Sequence, residues 1–166
     1  MFGLTDLIRT SLVTALLLLG GIAHADNPPI AVDDAGLALK GYDTVAYFAD
    51  GQPQPGDPAF SHQWNGATWL FATAEHRDAF KANPEQYAPQ FGGYCAFAVS
   101  KDHVQKADPM VWSIVDDKLY LNLGPGAQAK WQADLSSNIV RASNNWPGAL
   151  IDPGKRPKTS GTTESR

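Results

Sequence analysis

From Phe60 to Phe71 the chain carries aromatic or apolar residues at every second position, interrupted by Asn65-Gly66. A strand sends successive side chains to opposite faces, so this alternation predicts a half-buried pair of strands. Asn-Gly is the preferred two-residue hairpin turn because both central residues take positive φ. The predicted register pairs Trp64 with Ala67, His62 with Trp69, and Phe60 with Phe71, all six on the buried face. Ser61, Gln63, Thr68 and Leu70 fall on the other face. A second hairpin is predicted from Trp112–Val115 and Lys118–Leu123 around Asp116-Asp117, with Trp112, Ile114, Leu119 and Leu121 on its apolar face.

Between and after these hairpins the period changes from two to that of a helix. Asp43 is placed to cap a short helix over Val45–Phe48. Thr73 caps a helix running to about Ala82, on which His76 and Phe80 share a face. Asn83-Pro84 restarts a helical turn that Pro89 ends, and Asp108-Pro109 has the same cap-and-proline form. The run Phe91–Val99 opens with Gly92-Gly93 and reads onward as a strand. Ala127–Leu135 and Ser137–Asn145 read as two closing helices bearing Trp131, with Trp146 following. The chain thus reads twice as strand, turn, strand, helix, which is an α+β pattern of two small antiparallel hairpins with packed helices. No repeat of the kind that builds a solenoid is evident.

The two ends lack this patterning. Leu12–Leu19 is apolar, and Ala23-His24-Ala25 has the small-x-small form of a signal-peptidase site. Residues 1–25 are therefore expected to be a signal peptide that routes the protein to the periplasm or outside the cell. The apolar run is short for a bilayer of about 30 Å, so no stable membrane insertion is expected once the leader is removed. Residues 26–36 form a polar lead-in, residues 37–150 the folded domain, and residues 151–166 a tail rich in Pro, Gly, Ser and Thr that is expected to be disordered.

Composition narrows the chemistry. The 166 residues include five Trp, five Tyr and seven Phe, enough to build a core. The formal net charge is −4, and residues 26–150 hold 14 acidic against eight basic side chains, which argues against nucleic acid as a partner. One cysteine excludes an intrachain disulfide and a CxxC pair. Nucleotide loops, GxSxG elbows and HExxH motifs are absent from the sequence.

The segments GYDTVAYF (Gly41–Phe48), WNGATWLFATAEHRDAF (Trp64–Phe80), ANPEQYAPQFGGYCAFAVS (Ala82–Ser100), VDDKLYLNL (Val115–Leu123) and NNWPGAL (Asn144–Leu150) resemble, in order, the secreted bacterial YHS-domain proteins. The resemblance covers about two-thirds of the chain and implies a compact α+β domain outside the cytoplasm. The wider superfamily includes Cys-rich metal-binding modules, some appended to copper-transporting ATPases. The cysteines of those modules correspond here to Ala72 and His76, and a further one near Tyr42 has no counterpart. The Tyr-His-Ser triplet of the family name is not literal either; the nearest run is Phe60-Ser61-His62.

Three side chains then stand out. Cys95 can supply a thiolate, a soft metal ligand and a nucleophile, or can pack as a small apolar residue. His76 can ligate a metal or lie on the helix surface beside Glu75 and Asp78. Asp43, centred in a family block, can add a carboxylate or serve only as a cap. His62 is expected to be a hydrogen-bonded histidine on the aromatic sheet face, and His103 a loop residue.

Three function classes follow. The first is handling of a soft transition metal, copper(I) before zinc, through Cys95 with His76 and Asp43, because thiolate and imidazole suit those ions. The second is a non-catalytic structural or interaction module with a packed Cys95, whose partner would be another protein. The third is a small thiol enzyme, for which no base stands at a fixed spacing from Cys95. The leader reading has a direct check: mass spectrometry of protein recovered from its native compartment should give a chain starting at Asp26, and an intact Met1 would refute it.

Overall fold

The computed structural model describes residues 25–152; the expected leader before them and the tail after Asp152 lie outside the described residues. The architecture is α+β. A short helix α1 (Ala46–Ala49) precedes the hairpin β1 (Asp57–Trp64) and β2 (Ala67–Phe71), followed by α2 (Ala74–Ala82) and α3 (Pro84–Tyr87). A second short helix α4 (Ala96–Val99) precedes β3 (Asp108–Val115) and β4 (Lys118–Asn122), followed by α5 (Pro125–Ala133) and α6 (Leu135–Asn145). Each hairpin is its own two-stranded antiparallel sheet. Among the described residues no helix is long and apolar enough to cross a membrane.

The two halves repeat one another closely. β1, β2 and α2 recur as β3, β4 and α5 with equal lengths, each 51 positions later. Both hairpins carry an irregularity at the same place, after Asp57 and after Asp108. In each, the aspartate Oδ1 accepts from the N–H two residues on, at 2.8 Å from Ala59 and 2.9 Å from Met110. Each half also begins with a left-handed turn: Leu39, Lys40 and Gly41 have φ of 50°, 53° and 81°, and Phe91, Gly92 and Gly93 have 56°, 61° and 80°. Asp43 N–H then donates to Gln54 O, and Cys95 N–H to Gln105 O, both at 2.8 Å. The side chains at matching positions differ, which hides the repeat: Trp69 matches Tyr120, Phe80 matches Trp131, and Asp43 matches Cys95.

Several sequence expectations hold in detail. Trp64 pairs with Ala67 and His62 with Trp69. Thr73 Oγ1 accepts from the His76 N–H at 3.1 Å, capping α2. Trp112 pairs with Leu121 and Ile114 with Leu119.

Others are corrected. Phe71 pairs with Asp57, not Phe60, because the bulge at Asp57–Ser61 inserts extra residues into β1. Leu70 is buried rather than outward, since Gly56 lies so close that an added Cβ would sit 2.5 Å from the Leu70 Cβ. Asp108-Pro109 opens a strand and not a helix, its carboxylate closing the bulge instead of a cap. Asn83 stands at the N-cap of α3 with Pro84 following, as expected, but its side chain makes no cap bond and its amide donates to Gln86 Oε1 at 3.1 Å instead. The run after Gly92-Gly93 is helical. Tyr94 and Cys95 each make one isolated bridge, and then Val99 N–H and Ser100 N–H bond back to Cys95 O and Ala96 O, where the small Ala96 and Ala98 are buried.

The first core layer stacks Trp64, Trp69, Phe71 and Phe80, with Phe80 4.9 Å from Trp69 and 5.2 Å from Phe71, centroid to centroid. The second repeats this with Tyr120 5.3 Å from Trp131. Tyr47 joins the halves: its buried hydroxyl donates to Pro109 O at 2.9 Å, and its ring meets Trp112 edge-on. Burial pushes its phenol pKa well above the ordinary tyrosine value. The lead-in closes the domain, with Asp26 and Asn27 N–H donating to Leu150 O, Tyr94 hydroxyl to Pro28 O, and Ala31 N–H to Gly92 O.

Two glycines test this account through different physics. Gly66 sits in the first hairpin turn at φ 78°, with open space around it. Gly66→Val should destabilise by roughly 1 kcal/mol or more, from backbone strain alone. Gly92 combines φ 61° with a position where a Cβ would fall 1.9 Å from Pro29 O. Gly92→Ala should therefore cost more than Gly66→Ala, because the lead-in must also move. Equal denaturant midpoints for the two alanine variants would contradict the placement of the lead-in.

Candidate functional site

Asp43 lies between the first left-handed turn and α1, fully buried at 0% exposure. A carboxylate in that position needs its lone pairs met by donors. Oδ1 accepts from Val45 N–H at 2.8 Å and Ala46 N–H at 3.3 Å, so the carboxylate caps the first turn of α1. Oδ2 accepts from Ala72 N–H at 2.8 Å, at the end of β2, and lies 2.7 Å from His76 Nδ1 on α2. The cap expected from the sequence is present, and the same group also binds two elements about thirty residues away. Its neighbour Thr44 is buried as well and donates its hydroxyl to Tyr87 O, tying α1 to α3.

His76 is brought to Asp43 by the helix that Thr73 starts. Its backbone N–H is fixed by the Thr73 hydroxyl, and its ring by the Asp43 carboxylate. The pair leaves Nε2 as the nitrogen for any further partner. The side chain as a whole is 17% exposed. The expectation of a helix-surface histidine facing Glu75 and Asp78 is thus replaced by a directed bond into the interior, while Asp78 pairs with Arg77.

Cys95 occupies the position in the second half that Asp43 has in the first. It is 1% exposed and belongs to the same apolar cluster as Tyr47, Trp69 and Leu119. Its thiol donates to Asn122 Oδ1 at 3.7 Å, within the range for sulfur. That amide oxygen also accepts from Phe97 N–H at 3.3 Å and is itself fully buried. The structure therefore brings Asp43 and His76 together, and places Cys95 against Asn122. Among the described residues no group of three or more His, Cys, Asp or Glu side chains is arranged to hold a metal ion.

Of the remaining histidines, His103 keeps its expected loop position, while His62 keeps the aromatic face but makes a ring contact in place of the expected hydrogen bond. His62 packs edge-on to Phe80, with ring centroids 6.3 Å apart. His103 is exposed in the loop after α4, its Nδ1 3.2 Å from Lys101 O. Asn122 was not singled out by sequence, because an asparagine at the end of a strand gives no local sign of burial. Its match to Phe71 in the first half is the signal that could have found it, since that position is a core position in both copies.

Comparison with known proteins adds no name to this geometry: no family model matches the chain, and no curated protein or solved structure is detectably similar to it.

Proposed function

We propose that the chain is an exported, non-catalytic binding module of YHS type, in which Asp43, His76 and Cys95 serve the fold. The observation that carries this reading is the state of Cys95. A functional thiol needs access and a positive or metal neighbour to become thiolate. This one is buried in an apolar cluster and hydrogen-bonded to a neutral amide. Asp43 adds support, since both of its oxygens are already engaged by four donors, three of them backbone N–H groups. Ligating a metal would require it to give up part of the cap of α1 or the bond to β2.

A second reading, handling of a soft metal with copper(I) before zinc, draws on one feature. A carboxylate bonded to one imidazole nitrogen orients the other toward a metal in many sites, and Asp43 is bonded in that way to His76 Nδ1. In the third reading, a thiol enzyme, Cys95 would need a base to take its proton, and the thiol instead donates to Asn122.

Two measurements on leaderless protein separate the three. Under anaerobic competition with a copper(I) chelator, wild type and Cys95→Ser should bind copper(I) equally, and the native thiol should stay unmodified by Ellman's reagent until denaturant is added. Loss of copper(I) binding in a folded Cys95→Ser variant would overturn the module reading in favour of metal handling. Rapid native modification that rises with pH would overturn it in favour of thiol chemistry.

A further inference from the structure

The internal repeat makes one difference between the halves conspicuous. In the first half, Asp43, two residues past the left-handed turn, is joined to Ala72 at the end of the hairpin and to the His76 ring in the first turn of the following helix. The matching residues of the second half are Cys95, Leu123 and Ala127. Ala127 stands where His76 stands, and a methyl group replaces the imidazole. The same three residues, with Phe97, line an open cleft of ≈ 200 Å³.

The lining of that cleft has a definite chemistry. Most of its lining is apolar: Phe97, Ala98, Leu123 and Ala127, beside Cys95. Its charged members are Lys101 and Lys130, with His103 beside them, and no carboxylate is among the lining residues. Two of the eight Lys and Arg side chains of residues 26–150 line this one cleft, and none of the 14 carboxylates does. Lys101 Nζ lies 5.2 Å from the centroid of the Phe97 ring, a contact between two lining residues that holds the ammonium beside the cleft. An apolar lining that includes two lysines and no carboxylate is complementary to a flat apolar body bearing one negative charge.

We infer that this cleft is a binding site for a small aromatic carboxylate, its ring seated against Leu123 and Ala127 and its carboxylate between Lys101 and Lys130. The inference rests on the module reading and gives it a ligand class. The ring takes the place that the His76 imidazole has in the first half. The two ammonium groups supply the charge that selects an anion over a neutral ring, and the apolar lining selects a ring over a small anion.

Titration of the leaderless protein followed by ¹H–¹⁵N NMR tests it with three probes: benzoate, benzyl alcohol and acetate. Benzoate should give saturable shifts at the Phe97, Ala98 and Ala127 amides, while benzyl alcohol and acetate bind at least tenfold more weakly. Lys130→Glu, a surface change, should weaken benzoate at least tenfold. Ala127→His should abolish binding by installing the ring of the first half. If that variant does not fold, Lys130→Glu still decides. Absence of saturable benzoate shifts, equal binding of benzyl alcohol or acetate, or unchanged benzoate binding in Lys130→Glu would each overturn the proposal. Copper(I) competition on the same samples keeps the two ideas apart, since a copper(I) site lost in Cys95→Ser sinks the module reading whatever benzoate does.

Discussion

The first half of the domain is organised around one buried carboxylate. Asp43 is the point where α1, the end of β2 and the start of α2 meet, and it reaches all three with two oxygens. Local sequence supplies only the first of these bonds, the cap on α1. The others exist because the hairpin returns Ala72, and the Thr73 cap presents His76, to the same place. Burying a carboxylate is costly unless every lone pair finds a donor, so the group is useful to the fold only when the whole arrangement is in place. That makes it a check on the assembly of three elements rather than a simple gain in stability.

The second half solves the same geometric problem without a charge. Cys95 replaces the carboxylate, and the fully buried Asn122 bonds both its thiol and the N–H of Phe97. The backbone is common to both halves: a left-handed turn, a bridge to the loop before the hairpin, a bulged hairpin and a helix at the same offset. One backbone plan thus carries two different polar arrangements, and only the first includes a histidine. The buried Tyr47 then links the copies, its hydroxyl bonded to Pro109 O and its ring set edge-on against Trp112.

How much of this could be read from the sequence depends on the range of the interaction. The hairpin around Asn65-Gly66 and the Thr73 cap are set by residues within a few positions of each other, and both were legible. The bulge after Asp57 was not, because nothing in Asp57-Pro58-Ala59 distinguishes a loop from the first residues of a bent strand. The segment Ala96–Val99 reads as a strand from its Phe and Val, and tertiary packing makes it a helix. The left-handed φ of Leu39, Lys40 and Phe91 is unfavourable for non-glycine residues and had no sequence sign. The meeting of Asp43 with His76 joins residues 33 positions apart and needed the fold. The repeat left faint traces, Gly41-Tyr42 against Gly93-Tyr94 and Asp57-Pro58 against Asp108-Pro109, too few to claim without structure.

The central claim is that Asp43 holds three elements of the fold together, with His76 as one of its four donors. Denaturant unfolding of Asp43→Ala, His76→Ala and the double variant tests it most directly. Asp43→Ala should cost about 3 kcal/mol or more, or prevent folding, since it strands the buried N–H donors of Val45 and Ala46 and the part-buried one of Ala72. His76→Ala should cost about 1 kcal/mol, because three backbone donors to the carboxylate remain. The double variant should cost little more than Asp43→Ala alone, as expected of residues in contact. An Asp43→Ala protein as stable as wild type, or costs that simply add, would contradict the account.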